Sequence, residues 1–207
     1  GLPSGIVGAR AYYVLFKLDQ YDSFAEMVNI RDGGLAIYGG IIAGAATVFV
    51  VSKIKKIDFL ALADCVAPGV LLAQGIGRWG NFMNGEAFGA ETESFLPMGI
   101  QNIVSEYTFG TSEMVYVHPT FLYEGLWNLG VIIFLFIYRD KKKFQGELVL
   151  WYLALYGVGR FWVEALRTDQ LLIPGIGFPI SQLLGAVLAV SGLIAIFIGH
   201  KKAKVTE

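Results

Sequence analysis

Charged residues are scarce in this sequence of 207 residues, where they make up 16% of the chain. Ordinary soluble domains contain about 25% charged residues. Hydrophobic residues make up 55% of the chain and the mean hydropathy is +0.58. This balance excludes an ordinary soluble domain and predicts an integral membrane protein built as one helical bundle. The net charge of -1 gives no reason to expect nucleic acid as a partner.

Cysteine and histidine are rarer still, with one cysteine, Cys65, and two histidines, His118 and His200. One cysteine excludes a disulfide within the chain and a metal site built from several thiolates. Because Cys65 lies in an apolar run, we expect it to pack against its neighbours. The histidines lie near opposite membrane faces without a paired acidic motif. The sequence therefore predicts no metal and no other cofactor.

Six apolar segments follow one another along the chain, each near the roughly 20 residues that a membrane-spanning helix needs. The segments cover residues 2–18, 34–52, 58–76, 119–138, 147–166 and 180–199. Basic residues cluster after the second, fourth and sixth segments, so these ends are expected to face the cytoplasm. The expected fold is all-α and polytopic, a single domain over residues 1–207 with about six transmembrane helices and a cytoplasmic C-terminus. His200, in the last basic cluster, is expected to face lipid there.

The loops 19–33, 77–118 and 167–179 then face outward. The longest connection, 90–117, mixes acidic and aromatic residues and is expected to form a small extracellular cap between the third and fourth helices, with room for short strands. The first helix starts inside, which permits a further helix upstream of Gly1. No basic region precedes the first apolar run, so no cleavable signal peptide is expected.

Ionisable residues inside the expected helices need partners. These residues are Arg10, Asp64, Glu124, Arg160 and Glu164. Left unpaired at mid-bilayer, they would together cost on the order of 10 to 15 kcal/mol. They must therefore pair with one another, face water or bind a ligand. Arg160 and Glu164, one helical turn apart, are able to neutralise each other without any ligand.

The polar stretch GIGRWGNFMNGEAFG, residues 75–89, directly follows the third apolar run. Glycines let a backbone approach a ligand closely, and an arginine fork with two carboxamides suits the oxygens of a phosphate or a glycerol. The alternative is a simple helix exit, with Arg78 reaching to the membrane interface and the other residues forming turns.

A second polar pattern lies on the fifth expected helix. Tyr156, Arg160, Glu164 and Arg167 are spaced by 4, 4 and 3 residues, which places them on one helix face. Because this helix is expected to run outward, Arg167 lies nearest the surface and Tyr156 lies deepest. Such a ladder suits an amphiphile whose head group is drawn below the membrane interface.

Four motifs resemble those of the bacterial prolipoprotein diacylglyceryl transferase family. The signature of the family resembles the pattern G-R-x-G-N-F-x-N-x-E-x-x-G at 77–89. A second motif of the family resembles the pattern Y-G-x-x-R-F-x-x-E-x-x-R at 156–167. The H-P-x-x-L-Y-E element at 118–124 and the glycine-rich segment 32–40 resemble two more. The resemblance runs from about Gly8 to Arg167, and the first transmembrane helix of the family has no counterpart in these residues.

The resemblance implies transfer of the diacylglyceryl group of phosphatidylglycerol to the lipobox cysteine thiol of a prolipoprotein, which forms a thioether and releases glycerol phosphate. It implies a multi-pass protein of the bacterial inner or plasma membrane, surrounded by membrane lipids, with its active site toward the outer leaflet. The partners expected are therefore phosphatidylglycerol and a prolipoprotein.

The same resemblance guides our assignment of site residues. We assign catalytic roles to Arg78 and Arg160, which stabilise the phosphate leaving group, to Glu164, which orients Arg160, and to Tyr38. Many relatives have a histidine with an acid-base role where Tyr38 stands. The expected substrate-binding residues are Asn81, Asn84, Glu86, Gly89, Tyr156, His118 and Arg167. The thiol proton has four candidate acceptors, namely Tyr38, Tyr156, Glu86 and His118.

A transporter or channel for an anionic solute is the alternative from another class. In such a protein, arginines line the pathway and glycines permit broken helices. The sequence shows no inverted repeat, and its polar residues cluster toward one membrane face. These features favour the enzyme.

Overall fold

The structure is a computed structural model that describes residues 1–18, 21, 23–30, 33–100, 106, 108–111, 113–173 and 175–206. The described chain is mostly helical. It forms two compact units, an N-terminal unit, Gly1–Leu62, and a C-terminal unit, Ala63–Glu207. The single domain expected over residues 1–207 stays a prediction.

In the N-terminal unit, helix α1 (Leu2–Leu15) packs against helix α3 (Ile37–Lys55), and the short α2 (Phe24–Val28) comes between them in sequence. Arg10 on α1 is buried. Its guanidinium donates hydrogen bonds of 2.7 to 3.0 Å to the backbone carbonyls of Glu26, Met27, Gly33 and Gly34. Carbonyl oxygens therefore compensate this charge.

The C-terminal unit contains most of α4 (Phe59–Asn84), whose first residues belong to the N-terminal unit. Two short antiparallel strands follow, β1 (Met98–Ile100) and β2 (Val115–Val117), with Met98 opposite Val117. The remaining helices are α5 (Thr120–Tyr138), α6 (Glu147–Glu164) and α7 (Ile180–Thr206), and a 3-10 turn, Arg139–Lys141, follows α5. Helix α6 packs against both α5 and α7.

Small residues bring α6 and α7 into close contact. A Cβ atom on Gly157 would lie 2.5 Å from the carbonyl oxygen of Gly185 and 2.7 Å from the backbone nitrogen of Ala189. A larger residue at either glycine would force the helices apart, as is typical of close packing between membrane helices. This contact fixes one side of α6 and leaves Arg160 to reach α5.

Four helices of the described chain are long and apolar enough to cross a membrane: Ile37–Lys55, Phe59–Asn84, Thr120–Lys141 and Ile180–Lys204. Many of their large apolar side chains are exposed, as expected for helices surrounded by lipid. The other two predicted segments also form helices, but α1 has only 14 residues and α6 has three charged residues. A mostly helical membrane protein is therefore confirmed, and the number of six spans stays a prediction.

Two predicted boundaries are wrong. Helix α4 continues to Asn84, so the first part of the predicted loop 77–118 is helical. It ends where Gly85 takes a φ of 65°, a left-handed conformation that helices do not contain. Helix α7 continues to Thr206, beyond the predicted end at residue 199, because its basic residues are compatible with a helix.

Part of the region predicted as a cap lies in a small buried cluster. Strands β1 and β2 pair there, and the buried side chains of Phe88, Met98, Ile100 and Val117 form one cluster. The short strands that the sequence allowed for in this region are therefore present. Residues 101–105, 107 and 112 of this region lie outside the described part of the chain.

Asp64, in the second turn of α4, is a buried acid at the end of the C-terminal unit where α6 begins. Asp64 accepts hydrogen bonds from Lys142 Nζ at 3.0 Å and from the backbone nitrogens of Gly146 and Val149 at 2.9 and 3.0 Å. Cys65, expected to pack, is instead exposed, since the residue after an inward-facing Asp64 points to another side of the helix.

The lipid-facing position expected for His200 is wrong. Its Nε2 atom lies 2.6 Å from Oε1 of Glu147, a fully buried side chain. Tyr138 donates to the same oxygen at 2.6 Å, and the backbone nitrogen of Lys143 donates to Oε2 at 2.6 Å. His200 therefore helps to compensate a buried carboxylate, which the local sequence around it does not indicate.

We expect Asp64→Ala to lower the free energy of unfolding by about 2 to 4 kcal/mol, because two backbone donors and Lys142 lose their acceptor. Thermal unfolding in detergent, followed by circular dichroism, measures this loss. Asp58→Ala is the control, since the exposed side chain of Asp58 accepts from the Ala61 nitrogen at the start of α4 and its loss costs about 1 kcal/mol. Equal losses in the two variants would contradict the role given to Asp64.

Candidate active site

Three helices of the C-terminal unit bring two guanidinium groups to one carboxylate. Arg78 on α4 forms an ion pair through Nε with Oε2 of Glu124 on α5. Arg160 on α6 donates from Nη1 to Oε1 of Glu124 at 3.0 Å. Glu124 is 7% exposed. The two arginines singled out in the sequence therefore meet at the same buried acid.

The helix directions explain this meeting. Arg78 and Arg160 lie in the last two turns of α4 and α6, whereas Glu124 lies in the second turn of α5. Since α5 runs opposite to α4 and α6, its start lies beside their ends. The helices therefore gather these charges at one end of the C-terminal unit.

Glu164 completes the charge balance. Its Oε2 atom lies 2.7 Å from Nη2 of Arg160, one turn earlier on α6, and its side chain is buried. Two guanidinium groups thus face two carboxylates, which avoids the large cost of an uncompensated buried charge. The predicted neutralisation of Arg160 by Glu164 is present, but Arg160 also binds Glu124.

Each arginine keeps donors that no described residue uses. Among the described residues, Nη2 of Arg78 and Nε of Arg160 have no hydrogen-bond partner. The two side chains are 21% and 17% exposed, so they are reachable from outside. These atoms are available to the oxygens of an anionic ligand.

The polar residues of the 75–89 stretch form one network beside Arg78. With its carboxamide oriented so that both polar atoms have partners, Asn81 accepts from Arg78 Nη1 at 3.2 Å and donates to Glu86 Oε1 at 3.3 Å. Asn84 donates to the same Glu86 oxygen at 3.2 Å. These predicted substrate-binding residues are therefore adjacent to one another and to an arginine.

Gly89 and His118 lie in a small backbone bridge near this network. The Gly89 nitrogen donates to the His118 carbonyl at 2.9 Å, and Gly89 also pairs with Arg167 as an isolated antiparallel bridge. A Cβ atom on Gly89 would lie 2.6 Å from Cβ of His118 and 2.9 Å from the Leu166 carbonyl oxygen. Packing within the protein thus explains the glycine. His118 Nδ1 lies 3.2 Å from the hydroxyl of Tyr123.

Arg167 is held by a neighbouring acid. It donates from Nε and Nη2 to the two carboxylate oxygens of Asp169 at 2.8 and 2.7 Å. These hydrogen bonds hold the pKa of Asp169 below its ordinary value of 3.8, although partial burial opposes them. Burial alone would lower the pKa of Arg167, but Asp169 outweighs it and raises that pKa. Both groups are charged at neutral pH. Among the described residues, Nη1 of Arg167 has no hydrogen-bond partner, and the contact of Arg167 with the substrate stays a prediction.

An uncharged polar layer lies one turn away from the arginines. Tyr156 precedes Arg160 by one turn, and its ring centroid is 5.9 Å from that of Tyr152. The Tyr152 hydroxyl accepts from Nε2 of Gln74, which precedes Arg78 by one turn, at 3.2 Å. The depth of Tyr156 in the membrane and its contact with the substrate stay predictions.

Tyr38 belongs to the N-terminal unit, where it is the second residue of α3. Its side chain is 58% exposed. Its catalytic role stays a prediction.

Glu124 is the residue that our site assignment left out. The signals were an acid inside an expected span and its place in the H-P-x-x-L-Y-E element. Gln74 and Tyr152 were also missed, since an isolated glutamine and a tyrosine among apolar residues give no local signal. Only packing of α4 against α5 and α6 reveals these partners.

A mostly helical, apolar chain that gathers two arginines and two glutamates at one end of its helices is a membrane protein with a buried charged site. A family model described as prolipoprotein diacylglyceryl transferase matches residues 1–198. The chain belongs to this family of transferases, which confirms the resemblance seen in its motifs.

Relatives from several bacteria carry the same designation. The phosphatidylglycerol–prolipoprotein diacylglyceryl transferase 1 of Clostridium perfringens is 46% identical over 208 residues, which cover 98% of this chain and 78% of the relative. The corresponding protein of Clostridioides difficile is 42% identical, with 98% and 77% covered, and that of Listeria monocytogenes is 47% identical, with 91% and 68% covered. Nothing in these comparisons supports the alternative of an anion transporter.

Proposed function

We propose that this protein transfers the diacylglyceryl group of phosphatidylglycerol to the thiol of the lipobox cysteine in a prolipoprotein. The observation that carries the proposal is the meeting of Arg78 and Arg160 at Glu124, with unused donors on both guanidinium groups. Membership of the transferase family and the names of the relatives support the same reaction.

The reaction makes one bond and breaks one. The cysteine sulfur bonds to the diacylglyceryl carbon that carries the phosphate ester, and the bond between that carbon and the ester oxygen breaks. The electron pair leaves with glycerol phosphate, and the thiol proton passes to a base. Negative charge develops on the departing phosphate, so donors aimed at its oxygens stabilise the transition state most directly.

The arginines supply these donors. In our proposal Nη2 of Arg78 and Nε of Arg160 bind the phosphate, while Glu124 and Glu164 hold the guanidinium planes in position. Fixed planes reduce the reorganisation needed when charge develops. The network of Asn81, Asn84 and Glu86 then binds the glycerol head hydroxyls, with Gly89 and Arg167 as further substrate-binding residues.

The incoming thiol requires a base or a positive local potential, because free cysteine has a pKa of about 8.5. Tyr38, Tyr156, Glu86 and His118 stay the candidate proton acceptors. The contact between His118 and the Tyr123 hydroxyl shows that this histidine has a partner able to orient its ring.

We infer a topology of about six transmembrane helices in one domain, with residues 90–117 as an extracellular cap. Basic residues support this orientation, since Arg139 and Lys141 follow α5 and Lys204 lies in the last turn of α7. The arginine site lies at the opposite helix ends, toward the outer leaflet of the bacterial cell membrane, and the C-terminus is cytoplasmic.

The test incubates the purified protein with phosphatidylglycerol vesicles and a synthetic peptide that carries a lipobox cysteine. The expected result is a mass gain of one diacylglyceryl group on the cysteine, with release of glycerol phosphate. A peptide with serine in place of that cysteine is the control and gains no mass. Absence of the gain, or an equal gain on the serine peptide, would overturn the proposal.

A further inference from the structure

An apolar groove runs between α4 and α5 in the C-terminal unit, beside the arginine site. It has a volume of about 260 Å³. Its walls are formed by residues spaced along the facing sides of the two helices, including Leu71, Gly75 and Trp79 on α4 and Leu122, Gly125 and Leu129 on α5. Trp79 and Leu129 are largely exposed, so the groove opens to the surroundings of the helices.

The groove begins at the level of the charged residues. Trp79 directly follows Arg78, and Leu122 and Gly125 lie on either side of Glu124 in the sequence of α5. From Leu122 to Ile132 the helix rises about 15 Å. This length is half of the roughly 30 Å hydrocarbon core of a bilayer, which is the depth of one leaflet. The groove therefore matches a lipid tail that starts at the arginine site.

Aromatic rings mark the same end of the groove. The ring centroids of Trp79 and Phe121 are 5.2 Å apart, and those of Phe82 and Phe121 are 4.5 Å apart. Aromatic residues collect at the interface between the hydrocarbon core and the head groups. A lipid with its phosphate at the arginines would have its head group beside these rings and its tails below, in the groove.

Glycines leave the space open. Within the described part of the chain, a Cβ atom on Gly125 would meet no atom within 4 Å, and one on Gly75 would meet only Cβ of Asn128, at 4.0 Å. Helix packing therefore does not require a glycine at either position, in contrast to Gly157 on α6. The missing side chains instead widen the groove.

We propose that this groove holds one acyl chain of the phospholipid whose phosphate binds Arg78 and Arg160, and that its inner half selects for chain length. The inference rests on the proposed function. Its occupant is a single hydrocarbon chain, because the groove is apolar, one leaflet deep and continuous with the phosphate-binding end.

The test compares two depths of the groove. Gly125→Leu fills the outer half, and Leu129→Trp narrows the inner half, about 10 Å from Leu122. Transfer is measured with dioctanoyl and dipalmitoyl phosphatidylglycerol and the lipobox peptide. We expect Gly125→Leu to lower kcat/KM about tenfold for both lipids, and Leu129→Trp to lower it about tenfold for the dipalmitoyl lipid only. The KM for the peptide stays unchanged in both variants.

Gly69→Leu is the matched control, because Gly69 on α4 also has open space among the described residues but lies outside the groove. We expect this variant to leave the ratio of kcat/KM for the two lipids unchanged. Gly125→Ala gives a smaller fall if the leucine variant does not fold. Equal effects of Leu129→Trp on both lipids, or no effect, would overturn the inference, and so would a raised KM for the peptide alone. If the wild-type protein is inactive with both lipids, the result would instead contradict the proposed function.

Discussion

Replacement of Arg78 by lysine is expected to lower kcat for diacylglyceryl transfer by about 100-fold. The guanidinium of Arg78 contacts Glu124 through Nε and Asn81 through Nη1, which leaves Nη2 for the phosphate. A lysine ammonium is a point charge on a flexible stem and is unable to keep these directions at once. Initial rates with phosphatidylglycerol vesicles and the lipobox peptide measure the change, and Arg160→Lys is expected to behave alike.

Arg139→Lys is the matched control for this substitution. The Arg139 side chain is 59% exposed and lies 3.5 Å from the exposed Asp140, far along α5 from Glu124. Exposed ion pairs contribute little, so this variant keeps its rate within about twofold of the wild type. Wild-type turnover in Arg78→Lys would remove Arg78 from phosphate binding.

Glu124→Gln is expected to lower both stability and turnover. The variant keeps an oxygen for Arg160 but turns an amide donor toward Nε of Arg78, so two donors face each other. Breaking a buried ion pair in this way lowers the free energy of unfolding by about 3 to 5 kcal/mol. Misaligned arginines lower kcat by about 100-fold, whereas the KM for phosphatidylglycerol does not rise, since a negative charge has been removed beside the phosphate. Thermal unfolding in detergent and steady-state kinetics measure the two effects.

Glu147→Gln separates stability from catalysis. Glu147 is a fully buried glutamate with Tyr138 and His200 as partners, at the end of the C-terminal unit opposite to Glu124. Its replacement is expected to lower the unfolding temperature about as much as Glu124→Gln does. The kcat measured below that temperature stays at the wild-type value. If Glu124→Gln and Glu147→Gln show the same loss of kcat, Glu124 acts through stability alone.

The motifs identified the family because each of them lies within a short, continuous segment of the chain. The spacing of Tyr156, Arg160 and Glu164 fixes one helix face, since an α-helix repeats every 3.6 residues. The contact between Arg160 and Glu164 follows from that spacing and is present in the structure. Local periodicity was therefore enough to predict this pair.

The extent of α4 and the partner of His200 were not predictable in the same way. The polar residues 77–84 look like a loop when judged by hydropathy, yet they continue the helix and bring Arg78 and Asn81 into one network. The carboxylate beside His200 comes from another helix, so no pattern near His200 in the sequence indicates it.

The sequence by itself determined that the chain is an apolar helical membrane protein, which motifs it carries and which residues share a helix face. These properties depend on composition and on contacts between residues a few positions apart. Only the tertiary structure decided that Arg78 and Arg160 share Glu124 and that an open groove begins beside them. Those features depend on how α4, α5 and α6 pack, and a buried charge finds its partner wherever packing brings a compensating group within reach.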